Sequence, residues 1–174
     1  MTLDVDGIEI SGSWVRHGRS PRVAIPARDP APDSRWQRGA LVDALYLADK
    51  EETAWAEWYR HLAELGVPPA QWLPTYLWTF RVELRVANLS NERRLHRLGL
   101  SLPRPGRQGW LSYQVIGEEL WAAGWPGLVA PSAARPGGLV LCLFRRGDSV
   151  PGATAIPPPR QVSTAPIPPW GMTT

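Results

Sequence analysis

The chain has 174 residues, 44% of them hydrophobic and 20% charged, the balance of one soluble globular domain. Its apolar runs fall far short of the ~20 residues that span a bilayer, and the opening MTLDVDGIEI is acidic where a secretory leader is basic, so a cytoplasmic protein without a membrane segment is predicted. The net charge of +3 does not signal nucleic-acid binding: apart from Lys50 the basic residues are all arginines, scattered among acids rather than gathered in a stripe, as codon bias toward arginine produces.

Residues 11–17 (SGSWVRH) alternate about Trp14 and Arg16 and predict a short strand. Gly18 to Gly39 holds five arginines and four prolines without periodicity, a length that marks either a functional lid or a disordered segment. Val42 to Ala48 predicts a buried strand. A helix follows, with Asp49 as cap, Glu52 completing a capping-box-like pair, and Gly66 and Pro68 closing it. Trp55, Trp58, Tyr59, Leu62 and Leu65 fall on its core-facing side. Trp78 to Ala87 alternates strictly, with Trp78, Phe80, Val82, Leu84 and Val86 on one face, and predicts a half-buried strand.

Further along, Ser90 is expected to cap a short helix ending at Leu98 and Gly99, and Ser112 another ending at Ala123 and Gly124. Gly127–Ala130 and Leu139–Phe144 are buried-strand candidates. From Asp148 onward seven prolines in 27 residues predict a tail without regular structure. Strands and helices mix without a βαβ register, so the expected fold is α+β: one domain over 1–147 followed by a proline-rich tail over 148–174. Cys142, the only cysteine, excludes an internal disulfide and reads as a core thiol. With His17, His61 and His96 at unrelated spacings it makes no metal signature.

General catalytic motifs are absent: no Walker loop, no GxGxxG after a strand, no GxSxG, no HExxH. A more particular pattern lies in SWVRH with Ser34-Arg35-Trp36, in ALYLAD followed by TAWAEWYR, in GWPGLVAPSAA, and in the ending PPWGMTT. In this order and spacing the segments resemble the RES domain of bacterial toxin–antitoxin pairs, over about Trp14 to Arg145. The resemblance implies a fold related to ADP-ribosyltransferase toxins, with a mixed β core flanked by helices. It implies NAD as a substrate rather than a cofactor, degraded by phosphorolysis or hydrolysis, with inorganic phosphate as a co-substrate and a cognate antitoxin as partner. Self-association into a homo-oligomer is left open. By matching position it points to Glu57, Arg35, Tyr46 and Ser132 as catalytic and to Arg16 as substrate-binding; the adjoining His17 and Trp36 are further substrate-binding candidates. His17 stands where relatives often carry tyrosine, and Ser34 replaces a common glycine.

Cleaving the nicotinamide–ribose bond passes through an oxocarbenium-like state, and such residue types suit it. A carboxylate such as Glu57 stabilises developing positive charge, Arg16 and Arg35 fork onto phosphates, Tyr46 serves the nicotinamide end, and Ser132 fixes a ribose hydroxyl or a phosphate. Each has a plainer rival: Glu57 as a solvated helix residue, Tyr46 as core, Ser132 as a turn former, Arg16 and Arg35 as ordinary surface arginines, Trp36 as a loop anchor. Arg19, Arg22, Arg28 and Arg38 are further loop cations. ADP-ribosyl transfer to a protein, and a non-catalytic partner-binding module with a decayed pocket, are the alternative functions.

Overall fold

The computed structural model describes residues 3–147 and 149–174; Met1 and Thr2 of the acidic opening, and Asp148, lie outside them. Six strands and three α-helices are found among the described residues: β1 (Gly7–Gly18), β2 (Ala44–Ala48), α1 (Glu51–Leu65), β3 (Thr75–Asn88), α2 (Glu92–Arg97), α3 (Trp110–Ala122), β4 (Gly127–Pro131), β5 (Leu139–Phe144) and β6 (Ala153–Val162). The sheet order is β1-β2-β5-β4-β3-β6, and a further β1–β3 pairing closes the first five into a barrel. All pairs are antiparallel except β3–β4. The class is α+β, as the sequence predicts.

Period-two alternation decides what each strand presents to the two sides of the barrel wall. Leu45, Leu47, Phe80, Val129, Leu141 and Leu143 fill the interior with Trp14 and Trp78. Their neighbours Ala44, Ala130, Cys142 and Phe144 face outward beneath Leu95, Tyr113, Ile116 and Leu120 of the helical layer. Both faces are covered there, which is why β2, β4 and β5 read as continuous apolar runs. On α1, Trp55, Trp58 and Leu62 pack against Ala48 and Leu77. Leu65, expected on that core face, is instead exposed at the end of the helix.

Several boundaries differ from expectation. Asp49 does not cap α1: its amide donates to Leu139 O at 3.1 Å, so it still belongs to the ladder, and Lys50 takes the cap position without a side-chain bond. Gly66 ends the helix at φ 66°, a left-handed conformation that suits glycine. Ser90 bonds to Asn88 while Asn91 caps α2, accepting from Arg94 N at 3.1 Å. α3 begins at Trp110, ahead of Ser112, after Gly109 in the left-handed region.

The proline-rich tail is the main correction. Ala153–Val162 forms β6 and pairs with β3 from Thr75↔Val162 to Val82↔Ala153, with an irregularity between Leu77 and Thr79. Proline lacks a ladder donor but is tolerated on an edge strand, and β6 is the edge of this sheet. Beyond it the chain returns to the body: Tyr59 donates to Pro166 O, and Thr173 N donates to Ala134 O at 2.8 Å.

The Gly18–Gly39 segment is ordered by side chains rather than by a ladder. Trp78 Nε1 donates to Ser20 O (3.0 Å), Arg145 to Pro26 O (2.8 Å), Arg28 to Ala44 O (2.7 Å), and Gln114 to Ser34 O (2.9 Å). Three of these bonds satisfy carbonyls of the segment, and Arg28 ties it to β2. α3 approaches so closely that a Cβ on Gly117 would sit 2.0 Å from Trp36 O. No described helix is long and apolar enough to cross a membrane.

Candidate active site

Between α1, the outer face of β2, the C-terminal half of β1 and the ordered loop lies a cavity of about 440 Å³. Arg16 and His17 reach it from β1, Tyr46 and Ala48 from β2, Arg28 and Asp33 to Trp36 from the loop. Glu57, Arg60, His61 and Glu64 line it as one face of α1, and Arg107 and Trp110 close the far side. Five arginines thus face three carboxylates, a cavity biased toward anions.

Glu57 sits at the centre of a hydrogen-bond chain. Ser132 Oγ lies 2.6 Å from its Oε1, and Arg60 Nε donates to Oε2 at 2.8 Å. Ser132 Oγ also accepts from Ala134 N (3.1 Å) and Arg135 N (3.0 Å). With both backbone donors aimed at the oxygen, the hydroxyl hydrogen is left to point at the carboxylate. Glu57 is therefore not a solvated helix residue; its side chain is 17% exposed.

The arginines differ in their partners. Arg28 pairs with Asp43 (3.3 Å), which also takes Arg145 (2.9 Å). The Arg16 side chain has no hydrogen bond or ion pair among the described residues; burial first, then Arg28 and Arg145, bring its pKa down to about 10. It stays a cation at neutral pH, held by no carboxylate. Arg35 is buried, donates to Arg104 O at 2.5 Å, and lies 5.3 Å over the Tyr113 ring. Burial, and next Arg60, lower its pKa as well. An anion beside Arg16 or Arg35 would offset both effects. His17 is pushed down to about 3, mainly by burial and then by Arg16, so it is a neutral imidazole. His61 is lowered for the same first reason.

All seven residues singled out from sequence thus converge: six line the cavity, and Ser132 touches Glu57 from its edge. Their immediate surroundings refine the expected roles. The Tyr46 hydroxyl lies 2.5 Å from Ser34 Oγ and accepts from Trp36 N at 3.3 Å, so it braces the loop as well as facing the cavity. Ser34, the departure from glycine, supplies that partner. Trp36 is 1% exposed and meets Tyr113 edge-on at 5.2 Å; the loop-anchor reading fits it. Of the further loop cations only Arg28 lines the cavity. Arg38 is bound by Glu118, and Arg19 lies over Trp72.

Sequence reasoning missed Arg60, Glu64 and Arg107 as cavity residues. The Glu57–Arg60–Glu64 spacing on α1 was the available signal. Among the described residues no three His, Cys, Asp or Glu side chains gather as a metal would require.

The RES domain family model matches residues 13–166. The chain belongs to the RES domain family. The match runs through β6, so the family likeness extends past the barrel into the proline-rich segment. Over 163 residues this RES domain is 30% identical to the probable NAD(+) phosphorylase Rv3189 of Mycobacterium tuberculosis, covering 91% of this chain and 78% of that protein. Its fold is similar to that of a chain in the crystal structure of the M. tuberculosis MbcT-MbcA toxin-antitoxin complex, with a TM-score of 0.76, 23% identity, and coverage of 91% of this chain and 87% of that one.

Proposed function

We propose that this RES domain degrades NAD by cleaving its nicotinamide–ribose bond, as the toxin of a toxin–antitoxin pair. The observation that carries the reading is the clamped carboxylate: Glu57 is fixed by Ser132 and Arg60 in a cavity whose other charged residues are mainly cations. The 30% identical relative named as an NAD(+) phosphorylase supports the reaction, and the similar fold within a toxin–antitoxin complex supports the setting.

In the reaction the C1″–N bond of the nicotinamide riboside breaks, and its electron pair neutralises the pyridinium nitrogen. Nicotinamide is a good leaving group, so no strong acid is required. Glu57 accepts a ribose hydroxyl and stabilises the positive charge that develops on the sugar. Ser132 and Arg60 keep the carboxylate in place, so little reorganisation is needed as charge develops. Arg16 and Arg35 hold phosphate groups, and Tyr46 and His17 border the nicotinamide end. An oxygen of inorganic phosphate bonds to C1″, giving nicotinamide and ADP-ribose-1″-phosphate. A cognate antitoxin silences the enzyme by covering the cavity at its loop rim.

The test is incubation of purified, partner-free protein with NAD, with and without inorganic phosphate, and mass spectrometry of the products. Nicotinamide release with phosphate-dependent ADP-ribose-1″-phosphate is expected. Plain ADP-ribose at an unchanged rate makes water the acceptor, and no nicotinamide release from folded protein overturns the enzymatic reading.

A further inference from the structure

We infer that Arg60 is a positioning residue for the reaction: it fixes the carboxylate of Glu57 and does not itself hold the phosphates of the substrate. This rests on the NAD-cleaving reading above. Arg60 stands one helical turn after Glu57 and one before Glu64, at separations of three and four residues, so the three side chains share the cavity face of α1. Its Nε donates to Glu57 Oε2 at 2.8 Å while Nη1 donates to Glu64 Oε1. Glu64 Oε1 in turn accepts from Gly106 N at 3.0 Å, which ties the far end of the bridge to the segment leading into α3. On the near end Ser132 holds the other oxygen of Glu57.

The cavity arginines therefore divide by partner. Arg60 lies between two carboxylates, which offset its charge and occupy two edges of its guanidinium. Arg16 and Arg35 have no carboxylate within ion-pair distance among the described residues and remain open to an anion. Drawing Arg60 onto a phosphate would break a partly buried pair and leave the Glu57 carboxylate held by Ser132 alone. Lysine cannot replace it in full, because a single ammonium lacks the planar fork that spans both carboxylates.

The experiment compares wild type with Arg60→Lys, Arg60→Met, and Arg60→Met combined with Glu64→Gln, which preserves net charge if the single Met variant fails to fold. Thermal melting confirms folding, steady-state kinetics give kcat and KM for NAD, and titration with ADP-ribose gives binding without turnover. Misplacing a catalytic group is expected to lower kcat by about 10²-fold in the Met variants and by less in Arg60→Lys. KM and the ADP-ribose Kd should stay within about threefold of wild type, as for a group needed mainly in the transition state. Guanidinium ion added to an Arg60→Ala variant should restore part of kcat. Unchanged kcat in a folded variant overturns the inference. So does a raised KM and Kd with kcat kept, which would make Arg60 a phosphate ligand. An inactive wild type overturns the NAD reading instead, so the two failures are distinguishable.

Discussion

Replacing Glu57 by glutamine separates charge from shape. The amide is nearly isosteric and suits the interior of α1, so the backbone should not change. Glu57 accepts from Ser132 Oγ at 2.6 Å and Arg60 Nε at 2.8 Å. A glutamine has only one oxygen, so one of these donors must face an NH2 group. Leaving one partly buried donor unsatisfied costs roughly 1–3 kcal/mol, which in a chain of this size lowers Tm by about 2–4 °C per kcal/mol. The catalytic effect should be larger in proportion, because the charge that opposes the ribosyl cation is gone. Loss of one preorganised electrostatic group typically costs 10²–10³ in kcat, about 2.7–4 kcal/mol. Glu57→Gln is therefore expected to melt a few degrees early and to release nicotinamide at least about 10²-fold more slowly. Nicotinamide release followed by liquid chromatography, with calorimetry on the same preparation, measures both. Wild-type turnover in a variant with a near-native Tm would refute the assignment of Glu57 to the reacting ribose.

Three other outcomes are expected. Ser132→Ala removes a donor to Glu57 and the acceptor of two backbone amides, so kcat should fall by about tenfold or more with KM nearly constant; a raised KM at constant kcat would make Ser132 a direct substrate contact. Trp36→Ala should cost about 3–5 kcal/mol in urea unfolding, as large buried aromatics do, and wild-type stability with lost NAD binding would make Trp36 a ligand stack instead. His17, with its pKa pushed down to about 3 in the folded protein, is protonated more readily in the unfolded chain, whose histidine pKa is about 6.5. The unfolded state then binds the extra proton between these values, so stability should fall as pH drops through that window, with a slope of up to ~1.4 kcal/mol per pH unit from this residue. His17→Phe should flatten the fall between pH 6.5 and 5 in urea titrations; an unchanged slope would show that His17 is not held neutral.

The sequence by itself determined the parts that local periodicity and local motif encode. Alternation over Trp78–Val86 defines a strand because successive side chains must leave on opposite faces, and β3 follows it, extended at both ends. The Trp55–Trp58–Leu62 stripe defines the core side of α1 and so turns Glu57 toward the cavity rim. The RES-like segments pointed to Arg16, Arg35, Tyr46, Glu57 and Ser132, which the fold gathers at one cavity. Only the tertiary structure decided how these residues are used. Ser132 meets Glu57 across 75 positions of chain, a contact that no period records. Arg60 reads locally as one more helix arginine, and its bridge matters because the fold makes that face of α1 a wall of the cavity. Trp36 could anchor or stack by composition alone; the close approach of α3 at Gly117 seals it in the core. The prolines of Ala153–Val162 argued against regular structure because they remove ladder donors, yet the long β3 had an edge free to pair, and an edge strand can do without those donors.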